Sequence, residues 1–126
     1  MRRQVFKTRF FARWSRKAAV PDTALCVAVD EMERGLIDAD LGGHLYKKRI
    51  AVEGRGKRGG ARVIVAVSLG RNLWIFLTGY LKNDQPELDR QGLADIRGSV
   101  DRLLLGSENV LAHLIAKGEL EEICHV

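Results

Sequence analysis

The chain has 126 residues, of which 46% are hydrophobic and 29% charged, with a formal net charge of +5 and two cysteines. That length supports one real hydrophobic core and excludes two comfortable ones, so residues 1–126 read as a single domain. Met1-Arg2-Arg3 is basic, but no apolar signal core follows it and no apolar run is long enough to cross a bilayer, which predicts a soluble cytoplasmic protein with no membrane association.

The charge is unevenly spread. Residues 1–62 hold fifteen Lys/Arg against seven Asp/Glu, whereas residues 63–126 hold six against nine. A cationic face on a more neutral body favours polyanions and acidic partners over small neutral substrates. Cys26 and Cys124 form no CxxC pair and share no metal-ligand spacing with His44, His113 or His125, so they are expected to be reduced thiols and no metal is expected.

In chain order, Gln4 to Lys7 is short and β-friendly, and Thr8 is placed to cap a helix. Phe10, Trp14 and Ala18 recur at helical spacing with Phe11 alongside, while Arg9, Arg13, Arg16 and Lys17 take the other positions. Phe6, Phe10, Trp14, Trp74 and Phe76 read as core. A second helix follows Pro21, with Leu25, Ala28, Val29 and Met32 on one stripe and Gly35 as its stop.

From Leu45 to Glu53 the pattern alternates, which puts Lys47, Arg49 and Ala51 on one face and leaves Lys48 on the apolar side. Ala61 to Leu69 is almost continuously apolar and predicts a central strand; Gly70-Arg71-Asn72 turns into a third strand, Leu73 to Leu81. Two helices follow, on Leu93, Ile96, Val100 and Leu103 and then on Val110, Leu111, Leu114 and Ile115. The tail from Glu119 is too short to assign. The expected class is α+β: a short N-terminal strand and a three-strand antiparallel meander packed against two N-terminal helices, with helices at the C-terminus.

Between Lys47 and Arg62, sixteen residues hold seven cations and four glycines. Glycines allow close backbone approach to a bulky ligand, and clustered Lys and Arg favour an extended polyanion, so the reading is a nucleic-acid backbone. Lys47 and Arg49 share a strand face, Lys57 rides a glycine loop, and Arg62 opens the central strand. Three elements can then converge on one phosphate.

Several ordered motifs carry a resemblance: Val5-Phe6-Lys7, Phe10-Phe11-Ala12-Arg13-Trp14, Gly35-Leu36-Ile37-Asp38-Ala39-Asp40-Leu41-Gly42-Gly43, Lys47-Lys48-Arg49, Gly56-Lys57-Arg58-Gly59-Gly60-Ala61-Arg62 and Leu81-Lys82-Asn83. Together they resemble the RelE-type toxins of bacterial type II toxin–antitoxin modules, within the RelE/ParE superfamily, from Val5 to about Leu105. The resemblance implies a small fold that enters the ribosome and cuts mRNA, held inactive by a cognate antitoxin. Superfamily members similar in shape poison DNA gyrase instead, and a non-catalytic inhibitor working through Arg9, Arg13, Arg16 and Lys17 is the alternative function.

RNA transesterification without metal needs the 2′-hydroxyl activated, the phosphorane's charge stabilised and a proton delivered to the leaving 5′-oxygen. Glu53 is the single carboxylate between Leu41 and Leu81, so cations must supply the electrostatics and no cofactor is expected. Arg62 can hold the scissile phosphate with its planar fork. Lys57, Lys47 or Lys48, crowded by like charges, can exchange protons, and Lys82 stands where the family carries a functional basic residue after the meander. The candidate catalytic set is Lys57, Arg62, Lys82 and Lys47; Lys48, Arg49, Arg55, Arg58 and Tyr80 are candidates for RNA binding, with Tyr80 either stacking a base or finishing the core, and His44 is a weaker candidate acid–base group. Family members commonly carry a Tyr after the last strand, but Asn83 to Asp89 has none, so either the ribosome contributes more or Tyr80 substitutes from its strand.

Overall fold

In the computed structural model, which describes residues 2–52, 56–81 and 90–125 (the backbone alone at 56–59, 90–93 and 95), the chain runs β1 (Gln4–Thr8), α1 (Arg9–Lys17), α2 (Asp22–Glu33), β2 (Ala39–Gly42), β3 (Leu45–Val52), β4 (Gly56–Ser68), β5 (Leu73–Leu81), α3 (Arg90–Leu105), α4 (Glu108–Ala116) and β6 (Leu120–Ile123). The described strands form one sheet of order β2-β3-β4-β5-β1-β6. β3, β4 and β5 are the expected antiparallel meander. β1 lies parallel to β5 and antiparallel to β6, so it is inserted between strands made much later in the chain.

The sheet buries both faces, and each has its own core. Val63, Val65, Val67, Trp74 and Phe76 pack with Phe11 of α1 and Leu25, Ala28, Val29 and Met32 of α2. Phe6, Leu45, Ile64, Ala66 and Ile75 pack with Val100 and Leu104 of α3 and Leu111 of α4. Alternation along each strand sends successive side chains to opposite faces, which is why β4, covered on both, reads as a continuous apolar run.

Local signals explain the helix starts and stops. The Thr8 side chain accepts a hydrogen bond from Phe11 N at 3.0 Å, which satisfies an otherwise orphan amide of α1. Gly35 follows α2 at φ +87°, a left-handed value that glycine adopts without strain. One expectation fails on α1: the buried positions are Phe11, Ala12 and Ser15, and Phe10 is 66% exposed. The apolar stripe runs one position later than the Phe10 spacing suggests, because Phe11 is the residue aimed at Phe76, with ring centroids 5.4 Å apart.

Three further findings differ from the sequence reading. β2 and β6, four residues each, form the two edges of the sheet. The glycine-rich run is assigned to strand from Gly56 onward and not to a loop, but the register shifts between the pairs Val52–Gly56 and Ile50–Ala61, so the backbone of Lys57 lies in the irregular stretch between those two pairs. Cys26 and Cys124 are joined in a disulfide, with Cα atoms 5.6 Å apart across a sequence separation of 98 residues. α2 packs on the face where Ile123 of β6 is buried, and that packing brings the two sulfurs together. The expectation of reduced thiols is overturned, and the argument from them for a reducing compartment falls with it. No described helix is long and apolar enough to cross a membrane.

Candidate active site

Residues directly opposite in an antiparallel ladder present their side chains to the same face of the sheet. Arg49 of β3 is paired with Arg62 of β4, and Arg62 is paired with Tyr80 of β5. A single row of side chains thus crosses the meander. The neighbouring row holds Lys47, Ile64 and Thr78. Ile64 belongs to the core under α3 and α4, so both rows lie on that face, toward the end where β3 leads into β4.

Two arginines placed directly opposite repel one another and destabilise the pair. Asp38 offsets part of this repulsion. Its Oδ1 lies 3.3 Å from Arg49 Nε, and its Oδ2 accepts a hydrogen bond from the Arg49 backbone N at 2.5 Å. Arg49 is thereby oriented by one carboxylate while its side chain stays 49% exposed. Arg62 is different: among the described residues it makes one long hydrogen bond, Nη1 to Ala61 O at 3.5 Å, and no ion pair. Its charge is left for an anion from outside, with Arg49 beside it and half-buried Lys47 diagonal to it, roughly 7–8 Å away by ladder geometry. Such an arrangement can hold one phosphate oxygen on each guanidinium.

A family model described as the RelE toxin of the RelE / RelB toxin–antitoxin system matches residues 3–123. The chain belongs to the RelE toxin family. A comparison with curated proteins finds no match. Membership implies a cognate antitoxin as partner, and it lends nothing to the gyrase-inhibitor alternative.

Within this RelE toxin the remaining candidates separate. Lys48 does not join the row: it is 4% exposed on the opposite face, its Nζ 3.0 Å from Glu31 Oε1 and donating to Leu36 O at 2.9 Å. A buried, paired ammonium cannot reach RNA, so Lys48 fastens β3 to α2. Tyr80 is in the row but only 7% exposed, which leaves too little open ring for a base to stack on and gives it a packing role beside Arg62. His44 sits in the β2–β3 turn at φ +67°, five positions along the chain from Arg49, roughly 16 Å at strand rise. It is outside the site.

The side chains of Lys57 and Arg58, and all of Arg55 and Lys82, lie outside the described residues. Among the described residues no three His, Cys, Asp or Glu side chains converge as a metal site would need. Asp38 lies in one of the motifs that carry the resemblance, but the sequence assigns it no role at the site. An acid placed just before a short strand is a weak signal, and its role is visible only once β2 pairs with β3 and Ala39 stands opposite Lys47.

Proposed function

We propose that this RelE toxin inhibits translation in the cytoplasm by cutting mRNA on the ribosome, with the scissile phosphate held at Arg62. The observation that carries the reading is the Arg49–Arg62–Tyr80 row, in which a guanidinium with no internal ion pair among the described residues stands beside one pre-oriented by Asp38. The reaction is a transesterification. The 2′-oxygen attacks phosphorus as its proton passes to a base, the O2′–P bond forms, the P–O5′ bond breaks, and a proton is delivered to O5′. The products are a 2′,3′-cyclic phosphate and a free 5′-hydroxyl. Negative charge accumulates on the non-bridging oxygens at the transition state, where a fixed cationic fork stabilises it more than it does the ground state.

Lys57, Lys47 and Lys82 are the candidates for moving the two protons, and Arg49, Arg55 and Arg58 for binding the flanking phosphates. Lys48 and Tyr80 are assigned no contact with RNA. The low carboxylate content of this stretch, with Glu53 alone between Leu41 and Leu81, supports a route in which cations do the work usually given to a divalent metal.

The test maps mRNA 5′ ends in a translating extract, with and without ribosomes, for wild type, Arg62→Ala and Arg62→Lys. Codon-phased cuts that require ribosomes are expected from wild type, with a loss of about 10²–10³-fold in Arg62→Ala. Arg62→Lys should recover only part of it, since an ammonium lacks the bidentate fork. Wild-type cleavage by Arg62→Ala would show that the site is misplaced; intact mRNA with wild type would remove the reaction itself.

A further inference from the structure

We propose that the Cys26–Cys124 bond is a redox latch on the last strand: a thiol-rich cytoplasm opens it and lets β6 fray from the sheet, and an oxidising shift closes it and prolongs the toxin's life. The latch rests on the proposed action in the cytoplasm and is independent of the cleavage step.

The bond sits where a release is easiest. Cys26 lies in α2 and Cys124 directly follows β6, so the final strand is fastened to a helix made early in the chain. β6 is four residues long, forms an outer edge of the sheet and pairs with β1 alone among the described strands. Its other holds are side chains: Leu120 is buried in one core and Ile123 in the other, while Glu121 meets Lys7 and Glu122 meets an exposed Arg2. A short terminal edge strand with so few anchors opens locally far more readily than strands inside the sheet. Cys124 also stands at φ +60°, a left-handed value unfavourable for a residue with a Cβ. The bond holds the backbone there; with the sulfurs apart, Cys124 relaxes to an ordinary φ and draws away from α2.

Access and compartment make the bond reversible. Both cysteines are half-buried, so a small thiol can reach the sulfurs. Glutathione keeps accessible cytosolic thiols reduced, disulfides found there are usually transient, and exposed bonds are the labile ones. Opening is thiol–disulfide exchange. A glutathione thiolate attacks one of the two sulfurs, the S–S bond breaks, and the other sulfur leaves as a thiolate that takes up a proton. A second glutathione thiolate attacks the glutathione sulfur of the mixed disulfide, releasing oxidised glutathione and the second protein thiol. The protein gains two electrons and two protons while two glutathiones become one disulfide, and oxidised glutathione runs the sequence backwards. β1 separates β6 from β5, where the arginine row ends at Tyr80, so the open toxin keeps its site. What changes is persistence, because proteases that take a frayed terminus act on the fraction of molecules in which β6 is open.

The test equilibrates full-length toxin in glutathione buffers running from strongly reducing to oxidising, traps free thiols with iodoacetamide and counts bonded molecules by intact mass. Amide exchange over residues 120–123 and trimming by carboxypeptidase are then read on oxidised toxin, on reduced toxin and on the paired variant Cys26→Ser with Cys124→Ser. The bond is expected to be open at the cytosolic ratio of glutathione to its disulfide and closed when that ratio is oxidising. Both open forms should be trimmed faster and exchange the β6 amides at least about tenfold faster than oxidised toxin, at a rate insensitive to low urea, which marks local opening. A bond that survives the cytosolic ratio overturns the proposal. So does a bond that opens while the β6 amides and the C-terminus stay as protected as in oxidised toxin, or exchange that quickens with urea as global unfolding does. If wild type cuts no mRNA in a translating extract while the bond titrates and frees β6, the latch stands and the cleavage reading falls.

Discussion

The indole of Trp14 rests directly on the backbone of Gly79: a Cβ built on Gly79 would stand 2.4 Å from Cζ3 of the ring. Gly79 faces α1 while its neighbour Tyr80 faces the arginine row, so one position on β5 seats the helix and the next borders the site. Gly79→Ala must push the indole away, and overpacking of this kind costs about 1–3 kcal/mol. Denaturant melts should show that loss. Combining it with Trp14→Leu should give less than the sum of the two single effects, because the substitutions share one contact.

A second prediction concerns Lys48 and Glu31. The Lys48 side chain is 5% exposed and that of Glu31 16%, so removing the carboxylate strands a buried charge. Glu31→Ala should cost about 3–5 kcal/mol, and Lys48→Met distinctly less, since the carboxylate it leaves is closer to water. Lys48→Met should also keep wild-type cleavage. A large catalytic defect in a well-folded Lys48→Met would return this lysine to the RNA site.

The Lys7 ammonium gives a dependence on pH. Burial works to lower its pKa, but hydrogen bonds and charge attraction from Asp22 at 2.8 Å and Glu121 at 3.3 Å outweigh that, and the net shift is upward. A pKa raised on folding contributes stability that is complete below the unfolded value, about 10.4 for lysine, and is lost as pH climbs through the higher folded value. The stability difference between wild type and Lys7→Met should therefore be flat through the neutral range. It should shift against the wild type only above about pH 10.4, as measured by urea unfolding at a series of pH values.

The Cys26–Cys124 bond closes most of the chain into a loop, with a separation of 98 residues. Cross-links of that span restrict the unfolded chain strongly, and typical native disulfides contribute about 2–4 kcal/mol. Reduction with a dithiol, or the paired change Cys26→Ser and Cys124→Ser, should lower stability by that amount. Equal melts with and without reductant would show that the two thiols are not joined in solution.

Much of this was legible in the residues. The meander showed itself in Val63, Val65 and Val67, and α2 in the buried stripe Leu25, Ala28, Val29 and Met32, whereas Arg62, expected to open the central strand, lies within β4, which begins at Gly56. What escaped was short or non-local. Four residues of β2 or β6 carry too little alternation to stand out, and each is held in place by a partner strand. Lys48 looks like any strand cation until Glu31, seventeen positions earlier, comes beneath it. Phe10 and Phe11 are adjacent aromatics, and which of them faces inward depends on where Phe76 lies.

The insertion of β1 between β5 and β6 also sets an order of events during synthesis. Val5, Phe6 and Lys7 find their first ladder partners at Trp74, Ile75 and Phe76, and their second at Ile123, Glu122 and Glu121. Both sides of the first strand stay open until those distant residues have been made, and contacts so remote in sequence form slowly. A nascent chain on the ribosome therefore holds the arginine row's strands well before it holds a closed sheet, and the toxin matures only after its last strand has emerged.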